Sequence, residues 1–318
     1  RSRPCCLFFF GFWCCSMKKY KICKILLVIL AIFLCAAFYE LLGICVAYKK
    51  QPEVSNTTKK ETKNGSWNEC SENTERAVII EKNPEALLQR VRLIKNAKKE
   101  IILSTFAFQS DESGKLILGA LHDAADRGVH IRLLVDGMES WIDMEGNPYF
   151  YGLSSHENVE IKLYNKANPL KPWKMMGRMH DKYLIADGKR YILGGRNTYN
   201  YFLGDFPGHK NYDRDVLVVC DEPEKENSVN QLLEYFETIW EQEDSGYFHD
   251  NKKLANRKSV KNAVLELQNS YQKYFEENKE RICETDYTDE TFETEKITLV
   301  SNPIHTGSKA PVVWYQLG

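Results

Sequence analysis

Beyond residue 50 the sequence has only three cysteines, Cys70, Cys220 and Cys283, too widely spaced for a disulfide framework or a paired zinc-ligand spacing. Glycine and proline are also scarce, 18 and 10 in 318 residues, which excludes a collagen-like or low-complexity chain. Net charge is almost absent, with 43 Lys+Arg against 44 Asp+Glu for a formal -1. That balance averages two unlike parts. Residues 1–50 hold eight Lys/Arg and one acid, Glu40, which leaves 35 basic and 43 acidic residues after them, a net of -8. A domain built to wrap nucleic acid is disfavoured by that excess of acid. What is present is 43% hydrophobic and 12% aromatic residues, enough for a sizeable core, in a length that allows about two domains.

One long apolar run exists. From Ile25 to Tyr48 the chain is apolar apart from Glu40, and as a helix it would reach ~36 Å, enough to cross a bilayer with some tilt. We read residues 25–48 as a single-pass membrane anchor, 17–24 as its basic flank and 49–75 as a polar linker carrying the glycosylation-type triplets at Asn56 and Asn64. Residues 1–16 precede a self-sufficient start at Met17 and are read as an upstream extension. Lysines flank the span on both sides, so the side of the membrane stays open.

After the linker a βα alternation begins. Strands are expected at Ala77–Ile80, Ile101–Phe108 and Ile131–Val135, with a helix capped by Asn83-Pro84-Glu85 and a second helix stopped at Arg127-Gly128. Glu160–Tyr164 follows, and then Lys182–Ala186 and Arg190–Leu193, joined across Asp187-Gly188 as a hairpin. Arg214–Cys220 completes the strands, and helices are expected over Val229–Glu241 and Ser259–Arg281. The class is α/β, a sheet flanked by helices and largely parallel by this alternation. Ile297–Val300 looks like the opening of a second unit.

The stretch that carries chemistry is His180-Asp-Lys182-Tyr-Leu-Ile-Ala-Asp187, followed by Gly194-Gly195-Arg196-Asn197. On a strand His180 and Lys182 project from one face, and the return strand can bring the Asn197 amide to the same end. An imidazole, an ammonium and a carboxamide converging there suit attack on a phosphorus centre, with His as nucleophile and Lys and Asn holding the charged oxygens; such a site does not require a metal.

These residues resemble the HxKxxxxD motif, with its trailing Gly-Gly-x-Asn, of the phospholipase D superfamily, in its cardiolipin synthase-type members. The resemblance covers about residues 76–255, and it implies a mixed sheet flanked by helices and no cofactor or metal. It further implies a phosphohistidine at His180, phosphate binding by Lys182 and Asn197, motif support from Gly194 and Gly195, and a mainly structural role for Asp187 within the catalytic set. The family places an acid on a later strand to orient the imidazole; Asp215 is the first choice here and Asp213 the second.

Between Asn165 and Asn197 lie eight basic residues and two acids, interleaved with Pro169, Leu170, Pro172, Trp173, Met175 and Met176. That mixture reads as a positive strip suited to a phospholipid or a bilayer surface. The other histidines lack metal-ligand spacing and are read as surface or capping residues.

The expected organisation is therefore the anchor and linker, a first catalytic unit over 76–255, a connecting helix over 256–290 and the start of an incomplete second unit over 291–318. The expected function is a membrane-anchored phosphatidyltransferase or phospholipase acting on a phosphatidylglycerol-like lipid at a bacterial cell membrane, with no nucleic-acid partner. The resemblance requires a second motif, supplied by a missing C-terminal half or, second in order, by a homodimer partner. The alternatives are a phosphodiesterase acting on nucleic acid and a catalytically silent membrane-bound module.

Overall fold

The computed structural model describes residues 7–49, 75–168, 170–171, 177–220, 222, 227–249 and 252–301. The linker with Asn56 and Asn64, the apolar residues Pro169, Pro172, Trp173, Met175 and Met176, and the end of the expected second unit lie outside them.

Helix α1 (Leu7–Lys49) is continuous, so residues 7–16, expected as an extension, are the first turns of the same helix. Within it Lys21–Gly43, mean hydropathy 2.7, is long and apolar enough to cross a membrane.

The remaining elements build one sheet. In chain order they are β1 (Glu75–Ile80), α2 (Asn83–Asn96), β2 (Glu100–Thr105), α3 (Glu112–Asp126), β3 (His130–Asp136), α4 (Gly137–Asp143) and α5 (Pro148–Ser154). There follow β4 (Val159–Tyr164), β5 (Lys182–Ala186), β6 (Arg190–Gly194), β7 (Asp215–Cys220), α6 (Ser228–Trp240), β8 (Ser245–Tyr247), α7 (Lys258–Glu277), α8 (Lys279–Cys283) and β9 (Phe292–Glu293). Strand order is β8-β4-β3-β2-β5-β6-β7-β1-β9. Only β2–β3 and β3–β4 are parallel among these pairs, so the sheet is mixed rather than largely parallel. The cause is local: the Asp187-Gly188 turn, with φ of 55° and 62°, reverses the chain into a hairpin, and β7 then runs antiparallel to β6.

Both faces are covered. One packs Leu87, Val91 and Ile94 of α2, Leu118 and Leu121 of α3, Phe150 of α5 and Leu267 of α7 against Ile101, Leu103, Ile131 and Leu133. The other packs Val229, Leu232 and Phe236 of α6 against Ile102, Leu134, Tyr183, Ile185 and Val218. Strands buried on both faces read as continuous apolar runs, as β2 and β3 do.

Helix α7, which falls in the expected connecting segment, packs on α3 and α5. The described part of the expected second unit also lies on this sheet: β9 pairs with β1, Ile297 and Leu299 pack against the α6 face, and Leu299 N donates to Gln231 Oε1. The apolar side chains that looked like a new strand, Ile297 and Leu299, cover the α6 face, and the edge pairing is made just before them by Phe292–Glu293.

The cap of α2 also differs. Lys82 is the N-cap, without a side-chain bond, and Asn83 is drawn away: its amide donates to Asn211 O and its carbonyl oxygen accepts from Arg196 Nε at 3.1 Å.

Candidate active site

The functional side chains meet at one end of the sheet, beyond the carboxyl ends of the parallel strands β2 and β3 and at the start of β5. That is where ligands bind in parallel α/β sheets, because the chain leaves the strands there in loops free to carry chemistry. Lys182 opens β5 opposite Thr105, the last residue of β2. His180 stands two residues earlier, outside the strand and exposed.

Lys182 is 6% exposed, and its Nζ donates to the His180 carbonyl oxygen at 2.7 Å. Burial pushes its ammonium down to about 8, although the charges of Asp181, Asp213 and Asp136 resist the shift. His180 is held below its ordinary value, first by partial burial and then by the charges of Lys182 and Arg178. Its imidazole is therefore neutral at neutral pH, the form that has a lone pair to attack phosphorus.

Asn197 follows β6 and is buried. Its Oδ1 accepts from Ala107 N at 3.1 Å, and Thr198 N donates to Ala107 O. This pins the amide beside the end of β2 and leaves Nδ2 without a partner among the described residues, so it can donate to a phosphate oxygen.

Phe106 and Asp136 complete the site without having been singled out in sequence, together with Arg178, one of the eight basic residues of the strip. The expected strand over Ile101–Phe108 stops at Thr105, and Phe106 turns toward the site. Its ring meets the His180 ring edge-on at 4.6 Å and lies 5.2 Å from Lys182 Nζ and 4.9 Å from Arg178 Cζ. One aromatic face thus supports two cations and steers the nucleophile. Asp136, 1% exposed at the end of β3, caps α4 through Met138 N and Glu139 N. It also accepts from Arg178 Nε at 2.9 Å and Met179 N at 3.1 Å, fixing the backbone that leads into His180. The available signal was position: both residues sit at carboxyl ends of strands.

Asp215 is corrected. Its side chain is fully buried between two guanidiniums, Arg90 at 2.8 Å and Arg196 at 3.2 Å, both to Oδ2, and it makes no contact with His180. Those two ion pairs, both on one oxygen, are the partners the structure gives this carboxylate. Asp213 lies across Gly195, where a Cβ would come within 2.1 Å of its carboxylate, and its charge acts on Lys182. Gly194 plays the same part for Asp215, whose Oδ1 would be 2.1 Å from a Cβ there. The two glycines are the spaces into which the two acids fit.

Asp187 stands at the far end of β5, away from the reacting groups. Its carboxylate accepts from the backbone N–H groups of Lys98, Lys99 and Glu100 and ties the α2–β2 loop to the hairpin, which is a structural task.

Among the described residues of the strip, Lys189 and Arg190 lie at the distal hairpin turn, Arg196 is buried with Asp215 and Lys166 bonds Tyr247 O, while Arg178 and Lys182 flank His180; Lys174 lies outside the described residues. Of the remaining described histidines, His122, His130, His156 and His249 pair with acids, and His209 lies against the Tyr201 ring. Among the described residues no group of three or more His, Cys, Asp or Glu side chains is placed to hold a metal ion.

Residues 90–240 match the family described as "Cardiolipin synthase, PLD-like domain". The chain is 30% identical over 212 residues to an uncharacterized protein of Helicobacter pylori strain J99, covering 62% of this chain and 39% of that protein. It is 29% identical over 171 residues to cardiolipin synthase C of Escherichia coli K12, covering 49% of this chain and 34% of the enzyme. Among solved structures NucT from Helicobacter pylori aligns over 55% of this chain and 99% of its own, with 17% identity and a TM-score of 0.42. The chain thus spans less than two fifths of the length of either of these curated relatives.

Proposed function

Since this chain belongs to the phospholipase D superfamily, through a domain of the cardiolipin synthase type, we propose that it is a membrane-anchored enzyme that transfers or hydrolyses the phosphodiester of a phosphatidylglycerol-like phospholipid. The observation that carries the reading is the meeting of a neutral His180 imidazole, the Lys182 ammonium and the free Asn197 Nδ2 at one end of the sheet. In this reading a ring nitrogen of His180 attacks phosphorus, Lys182 and Asn197 bind the non-bridging oxygens as charge develops on them, and a phosphohistidine forms as the alcohol leaves. An alcohol acceptor then gives transfer and water gives hydrolysis. Helix α1 supports the lipid assignment, because it would hold the site at a membrane.

One His–Lys pair attacks, and a second must protonate the leaving alcohol. We infer that it comes from another such unit, in the same protein or, second in order, in a paired copy; the short share of each relative that the chain spans supports the first.

The test is reconstitution of the complete protein with phosphatidylglycerol vesicles. Cardiolipin and glycerol, or phosphatidic acid, are expected. No lipid product, with cleavage of DNA intact, overturns the reading. A trapped phosphohistidine should vanish in His180→Ala and persist in His209→Ala; its absence from the unsubstituted protein would leave a silent binding module.

A further inference from the structure

Trp141 and Ile142 are each 65% exposed on α4, the short helix that also carries Glu139, a partner of Arg178 beside His180. Leu170, 79% exposed, lies on the stretch that follows β4. That stretch and α4 are fastened together. Gly137 packs so close to Lys166 that a Cβ on the glycine would come within 2.6 Å of the lysine Cα, and Arg178, just past that stretch, meets Glu139 of α4 at 2.9 Å. Exposed indole and branched aliphatic groups at the rim of a site cost solvation free energy unless something covers them.

The chain itself points to the cover. Tyr39 of α1, four residues before the end of the apolar segment Lys21–Gly43, donates its hydroxyl to Leu170 O at 3.1 Å. A tyrosine one turn from the end of a spanning helix sits at headgroup level, where aromatic rings keep their polar edge wet and their body in the acyl boundary. Leu170 is then at headgroup level too.

We propose that Trp141, Ile142 and Leu170 form a ledge that seats in the headgroup region of the bilayer spanned by α1 and turns the His180 face toward the lipid. The inference deepens the proposed function and rests on α1 spanning the membrane. Arg178 faces two carboxylates, Glu139 and Asp136, so the ledge offers apolar surface rather than net positive charge. Its seating should therefore depend little on salt, unlike that of a polybasic patch.

The experiment uses the full chain in vesicles of phosphatidylcholine and phosphatidylglycerol, with photoreactive p-benzoylphenylalanine placed singly at Trp141, Ile142, Phe33 of α1, or Leu265, an exposed residue of α7. After illumination, lipid adducts are expected at Phe33, Trp141 and Ile142, about tenfold above Leu265, and equal at low and high salt. Adducts at Phe33 with only the Leu265 level at Trp141 and Ile142 overturn the ledge, as do protein adducts in their place. A Phe33 position without lipid adducts removes the anchor and the ledge with it. The readout is contact, not turnover, so adducts with no lipid product count against the proposed function alone.

Discussion

At the scale of the residue, the site is a trade between burial and charge. Lys182 is an ammonium in a place that disfavours ammoniums, held near the top of the neutral range so that an incoming phosphate, not water, completes its solvation. The pH dependence follows. His180 must be neutral and its pKa lies below 6.5, whereas Lys182 must be charged and its pKa is about 8. kcat/KM for phosphohistidine formation should fall at acid pH, where the His180 imidazole takes up a proton, and again as pH rises through about 8. The same burial has a stability consequence. The unfolded chain binds the Lys182 proton more tightly than the folded one, so stability rises with pH between the folded and unfolded values. Lys182→Met should abolish turnover yet raise folding stability at pH 7 by on the order of 2 kcal/mol, a gain that shrinks as pH climbs from about 8 to 10.5; denaturant melts at several pH values would show it.

The two acids before and at the start of β7 should separate cleanly. Asp215→Asn strands two buried guanidiniums and should cost about 3–5 kcal/mol. Asp213→Asn should leave stability within about 1 kcal/mol and lower the alkaline limb of the rate profile, because a charge favouring the Lys182 ammonium is lost. His180, Lys182 and Asn197 were legible in sequence since a hairpin sets their spacing within eighteen positions. Phe106 and Asp136 were not, because they reach the site from separate strands and no local pattern links them to His180. Asp215 misled for the opposite reason: its chain position is right, and only the distant Arg90 decides what its carboxylate does.

Among the elements, the β5–β6 hairpin does two jobs at its two ends. At one it presents His180, Lys182 and Asn197; at the other, Asp187 in the left-handed region gathers three backbone N–H groups of the α2–β2 loop. Asp187→Ala should cost about 1–3 kcal/mol, seen as a lower denaturant midpoint, while any phosphohistidine formed at temperatures where the fold survives keeps its normal pH dependence. Strands and helices were readable in sequence from apolar periodicity and from the turn at Asp187-Gly188. Their directions within the sheet were not, since β7 can join β6 from either sense until its neighbours are known. Nor was the fate of residues 291–301: a short apolar stretch reads the same whether it opens a new sheet or closes an old one.

For the whole molecule the governing fact is arithmetic: one His–Lys pair, in a chain spanning 39% and 34% of the two relatives described. If the second pair comes from elsewhere in the protein, this chain alone should form phosphohistidine slowly, for want of the group that protonates the leaving alcohol, at a rate per molecule independent of concentration. A rate that climbs with protein concentration would instead mark two paired copies.

The position of β1 has a mechanical meaning. It is the first element after the residues that lead from α1, and it is held on both sides, by six residue pairs to β7 and by β9 from the end of the described chain. Drag on the domain while α1 stays fixed would load β1 along its length, so that its rows of hydrogen bonds must slide together before any one is lost. With α1 in a membrane as proposed, the strand would serve as a strain relief, taking the pull before it reaches the end of β2 and the site beyond it.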